Sequence, residues 1–238
     1  MVEVGGIPIV VHIMRMYAAA GFDEFVLCLG YKAAFIKDYF LNYEAMSRDF
    51  TVELGKPGAV SFHGSSDGRP SWKVTLADTG ESTLTGGRIA RALRYVPEGE
   101  MFAVTYGDGV ADVDLRAVAE FHREHGLAAT VTGVRPPSRF GEIEHDGPRV
   151  TRFNEKPQAG QGLINGGFFF FAPRFRDYLI DDVHSALERE PLERCSADGQ
   201  LAVYEHSGFW QCVDTFRDWE RLESLWAGGQ PPWVREAG

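Results

Sequence analysis

Cysteines, positive charges and long apolar runs are all scarce in this chain of 238 residues. Its three cysteines, Cys28, Cys195 and Cys212, are scattered and form no CxxC pair, which argues against a disulfide framework and a zinc site. They favour buried thiols in a reducing cytoplasm. No apolar run approaches the ~20 residues that a membrane span needs, and residues 1–6 lack the basic and apolar regions of a signal peptide. We therefore expect a cytoplasmic protein with no membrane partner.

Lysine and arginine number 24 against 34 aspartates and glutamates, so the formal net charge is −10. Neutralising a polyanion needs clustered cations, so we expect no nucleic-acid partner. A small phosphorylated substrate, which needs only two or three placed cations, remains compatible with this charge. The length fits one large α/β domain or two small ones. We predict a single domain over 1–238.

The first 40 residues alternate between helical and strand patterns. Apolar side chains recur at helical spacing over 9–20, and the continuous apolar run 24–30 predicts a strand buried on both faces. A second helix follows with Phe35 and Phe40 inward. This order predicts an α/β fold, with a parallel sheet and crossover helices.

The segment 42–72 is polar and rich in glycine, serine and proline, so we predict an insertion or flap there. Beyond it, apolar patterns and turn residues predict the remaining elements. They are strands at 72–78, 102–106, 128–134, 163–171, 201–206 and 209–214, helices at 114–125, 176–180, 184–198 (broken at Pro191) and 216–226, and a hairpin about Asp146-Gly147. Trp233 is expected to hold the tail in place.

The stretch 102–112 (FAVTYGDGVAD) organises the chain, because its apolar run stops abruptly at Gly107-Asp108-Gly109. Ligands bind outside the carboxyl ends of strands in open α/β sheets. Asp108 therefore either meets a ligand or metal, or it caps the helix that begins near Asp114 or shapes the turn. Asp214 ends a second strand. With an arginine near glycines and a lysine before proline, the two carboxylates suggest a magnesium–phosphate site.

Two glycine pairs each leave two interpretations open. Hydroxyls and glycines over 79–88, followed by Arg88 in a helix, suit an anion at the helix N-terminus. The alternative is an ordinary N-cap by Ser82, Thr83 or Thr85. The glycines of the strand 163–171 mark either a close approach by a ligand or a β-bulge.

Several motifs spread along the whole chain carry a family resemblance. They are 2–9 (VEVGGIPI), 30–32 (GYK), 74–80 (VTLADTG), 85–88 (TGGR), 105–112 (TYGDGVAD), 139–141 (RFG), 155–157 (EKP), 164–169 (INGGFF), 208–210 (GFW) and 214–215 (DT). On these motifs the chain resembles the sugar-1-phosphate nucleotidyltransferases, and within them the cytidylyltransferase branch.

The resemblance implies a Rossmann-like, mostly parallel sheet with helices on both faces, truncated at its N-terminus. It implies that CTP and α-D-glucose 1-phosphate give CDP-glucose and pyrophosphate, by in-line attack of the sugar phosphate on the α-phosphorus. It further implies Mg²⁺ as cofactor, a homo-oligomer, and a route to dideoxysugars of surface polysaccharide such as O-antigen.

The resemblance also assigns residues. Asp108 and Asp214 would hold Mg²⁺ and, with Arg88, carry catalysis. Thr83, Arg88 and Gly107 would bind the nucleotide. The sugar phosphate would be bound by Gly141, Glu155, Lys156, Asn165 and Gly166. Tyr106 either borders this site or packs in the core.

The sequence departs from the family at its start. The family begins with a strand, a glycine-rich phosphate loop containing Gly-Thr-Arg and a Pro-Lys-Pro segment, and this sequence has none of them. Three explanations stay open: Met1 is an internal methionine, the chain is truncated and inactive, or it is a non-catalytic nucleotide-sugar-binding subunit. A thymidylyl- or uridylyltransferase of the same family is a further alternative.

Overall fold

The structure is a computed structural model that describes residues 2–56, 58–64, 70–136, 142–154 and 162–234. Strands and helices alternate along these residues. The strands are β1 Glu3–Val4, β2 Ile7–Pro8, β3 Glu24–Leu29, β4 Phe50–Val52, β5 Val60–Phe62, β6 Lys73–Asp78, β7 Phe102–Thr105, β8 Gly109–Ala111, β9 Ala129–Val134, β10 Glu142–Asp146, β11 Arg149–Asn154, β12 Ile164–Phe171, β13 Leu201–His206 and β14 Trp210–Cys212. The α-helices are α1 Ile9–Ala19, α2 Ala33–Leu41, α3 Tyr43–Ser47, α4 Thr85–Ala92, α5 Leu115–His125, α6 Glu190–Ala197 and α7 Phe216–Ala227, with 3-10 turns at Leu93–Tyr95 and Pro173–Tyr178.

The main sheet is mixed, with four strands in the order β13-β9-β12-β7. Strands β13 and β9 are parallel, whereas β12 runs antiparallel to both β9 and β7. A separate parallel pair joins β3 to β6, and an antiparallel pair joins β8 to β14. The α/β fold expected from the sequence is confirmed.

Strand β12 lies at the centre of the packing. Its phenylalanines Phe168 to Phe171 are fully buried. Phe168 and Phe170 belong to a cluster with side chains of α1, α5 and α7, whereas Phe169 and Phe171 pack with side chains of α4 and α6. Because successive side chains of a strand point to opposite faces, helices cover both faces of the sheet.

The glycines of β12 lie in an irregular stretch of its ladder. The register with β9 shifts between Asn165 and Phe169, and Gly167 has a φ of +80°. A Cβ at Gly166 would lie 2.7 Å from Val134 Cγ1. The β-bulge interpretation of this glycine pair is therefore supported by the structure, and the bulge lies beside Tyr106.

The tail is held as expected. Trp233 is buried, and its Nε1–H donates to Nδ1 of His12 at 3.3 Å. Because Nδ1 accepts this bond, the proton of the neutral ring lies on Nε2, which donates to the carbonyl of Val4 at 2.9 Å. Burial lowers the pKa of His12, so the ring stays neutral in this arrangement.

Four local expectations were wrong in detail. Phe35, expected to point inward on α2, is 64% exposed, and no side chain of this helix is fully buried. In β3 only Leu29 is fully buried, because the described residues give this strand one ladder partner, β6, and leave its side chains half-covered. Pro191 lies in the first turn of α6 instead of breaking a helix over 184–198, since proline suits that position. The short helix predicted over 176–180 is instead the end of a 3-10 segment, Pro173–Tyr178.

The hairpin about Asp146-Gly147 is confirmed as β10 and β11. The segment 42–72 holds α3 and the β4–β5 hairpin, and several large apolar side chains there are exposed. Its role as an insertion or flap, and the single domain over 1–238, stay predictions. Within the described ranges the longest helix, α7, has 12 residues, and none is long and apolar enough to cross a membrane.

Candidate active site

The structure brings Asp108 and Asp214 to the same place. Asp108 lies between β7 and β8, and Asp214 lies between β14 and α7. Strands β8 and β14 pair antiparallel with Gly109 opposite Cys212, which aligns the two connections. The amide of Val213 then donates to the carbonyl of Asp108 at 2.9 Å. Two carboxylates 106 positions apart in sequence therefore border one cavity.

This cavity has a volume of about 180 Å³. Its wall is built by the end of β7, the start of β8, the bulge of β12 and the end of β14. The lining residues are Thr105, Tyr106, Asp108, Gly109, Asn165, Gly166, Gly167, Phe168, Trp210, Cys212 and Asp214. Trp210 also fixes the bulge, because its Nε1–H donates to the carbonyl of Gly166 at 2.8 Å.

The electrostatics of the cavity are acidic. Partial burial, and then repulsion by Asp214, raise the pKa of the Asp108 carboxyl. The thiol of Cys212 donates to Asp214 Oδ2 at 3.4 Å, and burial followed by this carboxylate raises the pKa of Cys212 to about 12. A cation in the cavity would relieve the repulsion between the carboxylates.

The helix-cap interpretation of Asp108 is wrong, because Asp114 itself caps α5. Its side chain accepts from the amides of Arg116 and Ala117 at 3.0 and 3.1 Å. Helix α7, which follows Asp214, begins with a capping box in which Thr215 and Asp218 exchange side-chain-to-backbone bonds. Neither carboxylate of the cavity is therefore an N-cap residue, since Asp114 caps α5 and Thr215 caps α7.

Arg88, on α4, does not line the cavity. Its guanidinium donates to Thr79 Oγ1 at 2.9 Å and to the carbonyl of Glu81 at 3.1 Å. It lies against Gly30, where a Cβ would be 2.4 Å from Nη2. The glycine of the 30–32 motif thus leaves room for this cation.

Thr83 is buried, with 4% of its surface exposed. Its hydroxyl oxygen accepts from Arg91 Nη1 at 2.9 Å, and Arg91 also donates to the carbonyl of Thr79 and to Asp181. Because arginine cannot accept, the proton of the Thr83 hydroxyl is left to donate elsewhere. Sequence reasoning did not identify Arg91, because nothing in the sequence distinguishes it from other arginines on predicted helices.

The N-terminus of α4 is closed by backbone and not by a side chain. None of the candidate caps serves, since Leu84 is the N-cap residue and no side-chain cap bond is present. The amides of Leu84 and Gly87 donate to the carbonyls of Val183 and Ser185 at 2.9 and 3.0 Å. These two amides are therefore occupied, which leaves less of the helix end for an anion than the sequence suggested.

The glycines of α4 permit this contact. A Cβ at Gly87 would lie 2.2 Å from the carbonyl oxygen of Asp182, and one at Gly86 would lie 2.9 Å from that of Ser185. The segment 182–187 can therefore approach the helix as closely as it does.

Tyr106 fills both roles left open by the sequence. Its ring packs edge-on against Phe169, with centroids 5.8 Å apart, and it also lines the cavity. Its hydroxyl contacts Glu188 at 2.5 Å and Asn165 at 3.1 Å. Glu188 was missed by sequence reasoning, because an exposed glutamate within the helix predicted over 184–198 has no local signature.

Of the remaining predicted residues, Asn165 and Gly166 line the cavity, and Gly107 is exposed beside Asp108. Gly141, Glu155 and Lys156 lie outside the described residues. In the part of the chain that the structure describes, no group of three or more histidine, cysteine, aspartate or glutamate side chains is placed to hold a metal.

Fold and site together define an α/β protein with a carboxylate pair where its strands end. The fold is similar to that of HddC from Yersinia pseudotuberculosis, in a structure complexed with GMP-PN. The TM-score is 0.65 at 20% identity, and the match covers 95% of this chain and 88% of that one.

The family follows from the sequence comparison. Residues 1–224 match the model of the nucleotidyl transferase family, and the chain belongs to this family. It is 45% identical over 233 residues to glucose-1-phosphate cytidylyltransferases of Salmonella typhi and Salmonella typhimurium. Each match covers 98% of this chain and 89% of the relative. The family resemblance seen in the motifs is thus confirmed.

Proposed function

We propose that this chain transfers CMP from CTP to α-D-glucose 1-phosphate, forming CDP-glucose and releasing pyrophosphate. The 45% identity to glucose-1-phosphate cytidylyltransferases over nearly the full length of both chains carries this proposal. The cavity shared by Asp108 and Asp214 supports it independently, because a carboxylate pair at strand ends suits a metal-bound phosphate.

Asp108 and Asp214 would hold Mg²⁺, which typically takes one or two protein carboxylates and completes its coordination with phosphate oxygens and water. The mutual repulsion of these carboxylates favours a cation between them. Cys212 fits a hard metal poorly and stays protonated, so oxygen ligands dominate the cavity. The bound ion would neutralise charge that develops on the α-phosphate.

Arg88 and Thr83 would bind the nucleotide from the α4 side. Arg88 is held by Thr79 and the carbonyl of Glu81, so its guanidinium has a fixed position before a ligand arrives. The Thr83 hydroxyl, which accepts from Arg91, can donate to an acceptor of the nucleotide. Prearranged donors of this kind lower the cost of ordering at the moment of reaction.

Asn165 and Gly166 would bind the sugar phosphate from the β12 side of the cavity. The roles of Gly107 with the nucleotide, and of Gly141, Glu155 and Lys156 with the sugar phosphate, rest on the family resemblance alone. In-line attack then needs the two substrates to be held with the sugar-phosphate oxygen behind the α-phosphorus, and positioning of this kind supplies much of the rate.

The test is pyrophosphate release by the purified chain with Mg²⁺, glucose 1-phosphate and each of CTP, UTP, dTTP and GTP in separate reactions. We expect turnover with CTP and a product with the mass of CDP-glucose. Asp108→Asn is the matched control for contaminating activity. Turnover with UTP or dTTP alone would overturn the cytidylyl assignment and leave the nucleotidyltransferase class standing.

Calorimetry with CDP-glucose distinguishes the proposed enzyme from the remaining alternative, a non-catalytic binding subunit. Binding of CDP-glucose without turnover of any nucleotide would indicate a nucleotide-sugar-binding subunit. If the chain shows no binding of CDP-glucose and no turnover, the proposal is wrong altogether. If turnover is found, the product suits the dideoxysugar route that the resemblance implies, and the homo-oligomer that it also implies is checked by light scattering on the same preparation.

A further inference from the structure

A chain of hydrogen bonds runs from the start of α4 to the floor of the cavity. Thr85, the first residue of α4, donates its hydroxyl to Glu188 Oε2 at 2.7 Å. Glu188 Oε1 accepts from the hydroxyl of Tyr106 at 2.5 Å. The Tyr106 oxygen accepts in turn from Asn165 Nδ2 at 3.1 Å, and Asn165 Oδ1 accepts from the amide of Gly167 at 2.8 Å.

The direction of every bond in this chain is fixed by chemistry. An ionised carboxylate only accepts, so the single hydroxyl proton of Tyr106 must point to Glu188. The Tyr106 oxygen can then only accept from Asn165, which requires the amide nitrogen to face it. The amide of Gly167 only donates, which requires the amide oxygen of Asn165 to face it. Two independent bonds therefore give the same orientation of the Asn165 side chain.

In addition to the hydrogen bonds of its hydroxyl, Tyr106 has packing contacts on two sides of its ring. It packs edge-on against Phe169, and it lies against Gly167, where a Cβ would be 2.6 Å from Tyr106 Cδ2. The packing of the ring thus fixes the position of the hydroxyl.

Glu188 is fixed in the same way from its own side. The amide of Leu187 donates to Thr85 Oγ1 at 2.8 Å, which leaves the hydroxyl proton of Thr85 for the carboxylate. The close approach of this segment at Gly86 and Gly87 fixes its backbone against α4. Both carboxylate oxygens of Glu188 therefore receive a donor whose position is set by the fold.

We propose that Glu188 is a positioning residue of the candidate active site: through the Tyr106 hydroxyl it orients the side-chain amide of Asn165 toward a phosphorylated sugar in the cavity of Asp108 and Asp214. Among the described residues the Asn165 amide nitrogen donates to Tyr106, and its second N–H can donate to that ligand. The kinetic part of this inference rests on the proposed function, whereas the structural part does not.

The structural part is tested by NMR on the ¹⁵N-labelled chain, through the side-chain NH₂ resonances of Asn165, assigned with Asn165→Asp. We expect these resonances to move in Glu188→Ala and in Tyr106→Phe, which keeps the ring and removes only the hydroxyl. They should stay in place in Glu193→Ala, a control that removes another exposed glutamate nearby. Unmoved resonances in Glu188→Ala would overturn the inference, whether or not the chain is active.

The kinetic part uses the same variants with CTP and glucose 1-phosphate. We expect kcat/KM for the sugar phosphate to fall about tenfold in Glu188→Ala, as the loss of one hydrogen-bonded orientation implies, with the KM for CTP unchanged. The double variant Glu188→Ala/Tyr106→Phe should be no worse than Tyr106→Phe. Additive losses, or equal losses for both substrates, would show that Glu188 acts by another route. An inactive wild-type chain contradicts the proposed function and leaves the NMR result to decide the positioning role.

Discussion

The amide of Val213 donates to the carbonyl of Asp108 at 2.9 Å, and this bond joins the two connections that carry the acidic side chains of the cavity. The connections that carry Asp108 and Asp214 are therefore held together by backbone pairing of the short strands β8 and β14. Substitution at either carboxylate should leave this frame intact.

Asp108→Asn should abolish turnover and slightly stabilise the metal-free chain at pH 7. Loss of a metal-binding carboxylate should cost at least about 100-fold in kcat. Burial and Asp214 raise the pKa of Asp108 in the folded state, so its ionised form opposes folding once the pH exceeds the unfolded-state pKa. Asparagine removes that opposition. Urea titrations without metal, at pH 7 and at pH 3.5, measure it, and the gain should vanish at the lower pH.

The two helix caps near the site should separate stability from activity. Asp114→Ala removes the cap of α5 and should lower the free energy of unfolding by about 1 kcal/mol with turnover unchanged. Thr215→Ala removes the capping box of α7 and should cost a similar amount. Because Thr215 follows Asp214 directly, its loss should also reduce turnover. Equal activity in both variants would show that the cap does not position Asp214.

Gly87→Ala should destabilise the chain, although alanine is normally the better residue inside a helix. The added Cβ would lie 2.2 Å from the carbonyl oxygen of Asp182, so the segment 182–187 must move away from α4. Overpacking of this kind costs about 1–3 kcal/mol. Gly55→Ala, at a glycine with open space around it and no positive φ, is the control and should leave the urea midpoint unchanged.

Part of this arrangement could be predicted from the sequence, because its signals are local. The apolar runs that stop at Asp108 and Asp214 identified both carboxylates and the strands before them. The direction of β12 could not be predicted in this way, since an apolar run has the same composition in a parallel and an antiparallel strand.

The Glu188–Tyr106 bond could not be predicted at all, because it joins residues 82 positions apart and nothing around Glu188 marks it as a partner of the motif that holds Tyr106. The glycines of α4 could be recognised as a motif in the sequence, but the reason for glycine at these positions could not. Anion binding, capping and close packing all favour glycine before or within a helix, and only the contact with Asp182 and Ser185 distinguishes them.

Acid should destabilise the chain through His122, which is 3% exposed and shares Thr130 with His125. Burial, and then His125, lower the pKa of His122 to about 4 from 6.5. Between these two values the unfolded chain binds a proton that the folded chain does not. The free energy of unfolding should therefore fall as the pH drops from 6.5 to 4, by at most about 1.4 kcal/mol per pH unit.

The measurement compares the wild type with His122→Gln in urea at pH 4.5, 5.5, 6.5 and 7.5. The difference in unfolding free energy between the two should shrink toward acid, because glutamine does not titrate. His184→Gln, at an exposed histidine outside this cluster, should keep the wild-type dependence on pH. A constant difference between wild type and His122→Gln would contradict the prediction.

Gly30→Ala should impair nucleotide binding without unfolding the chain. The new Cβ would lie 2.4 Å from Nη2 of Arg88, the flexible end of a side chain that can move away at little cost in stability. Movement would break the bonds from this guanidinium to Thr79 and Glu81 that hold it in place. Under the proposed function, the KM for CTP should rise about tenfold, as expected for a displaced charge-assisted contact, while the KM for glucose 1-phosphate stays the same.

Two further variants show whether the displaced cation is the cause. Arg88→Ala should raise the KM for CTP at least as much as Gly30→Ala does, and combining the two changes should add nothing, because the glycine acts only through the arginine. Gly55→Ala, at a glycine with open space around it and no positive φ, reports the general cost of an added methyl group in the same assay. Additive effects of the first two changes would mean that Gly30 serves the site by a route other than making room for Arg88.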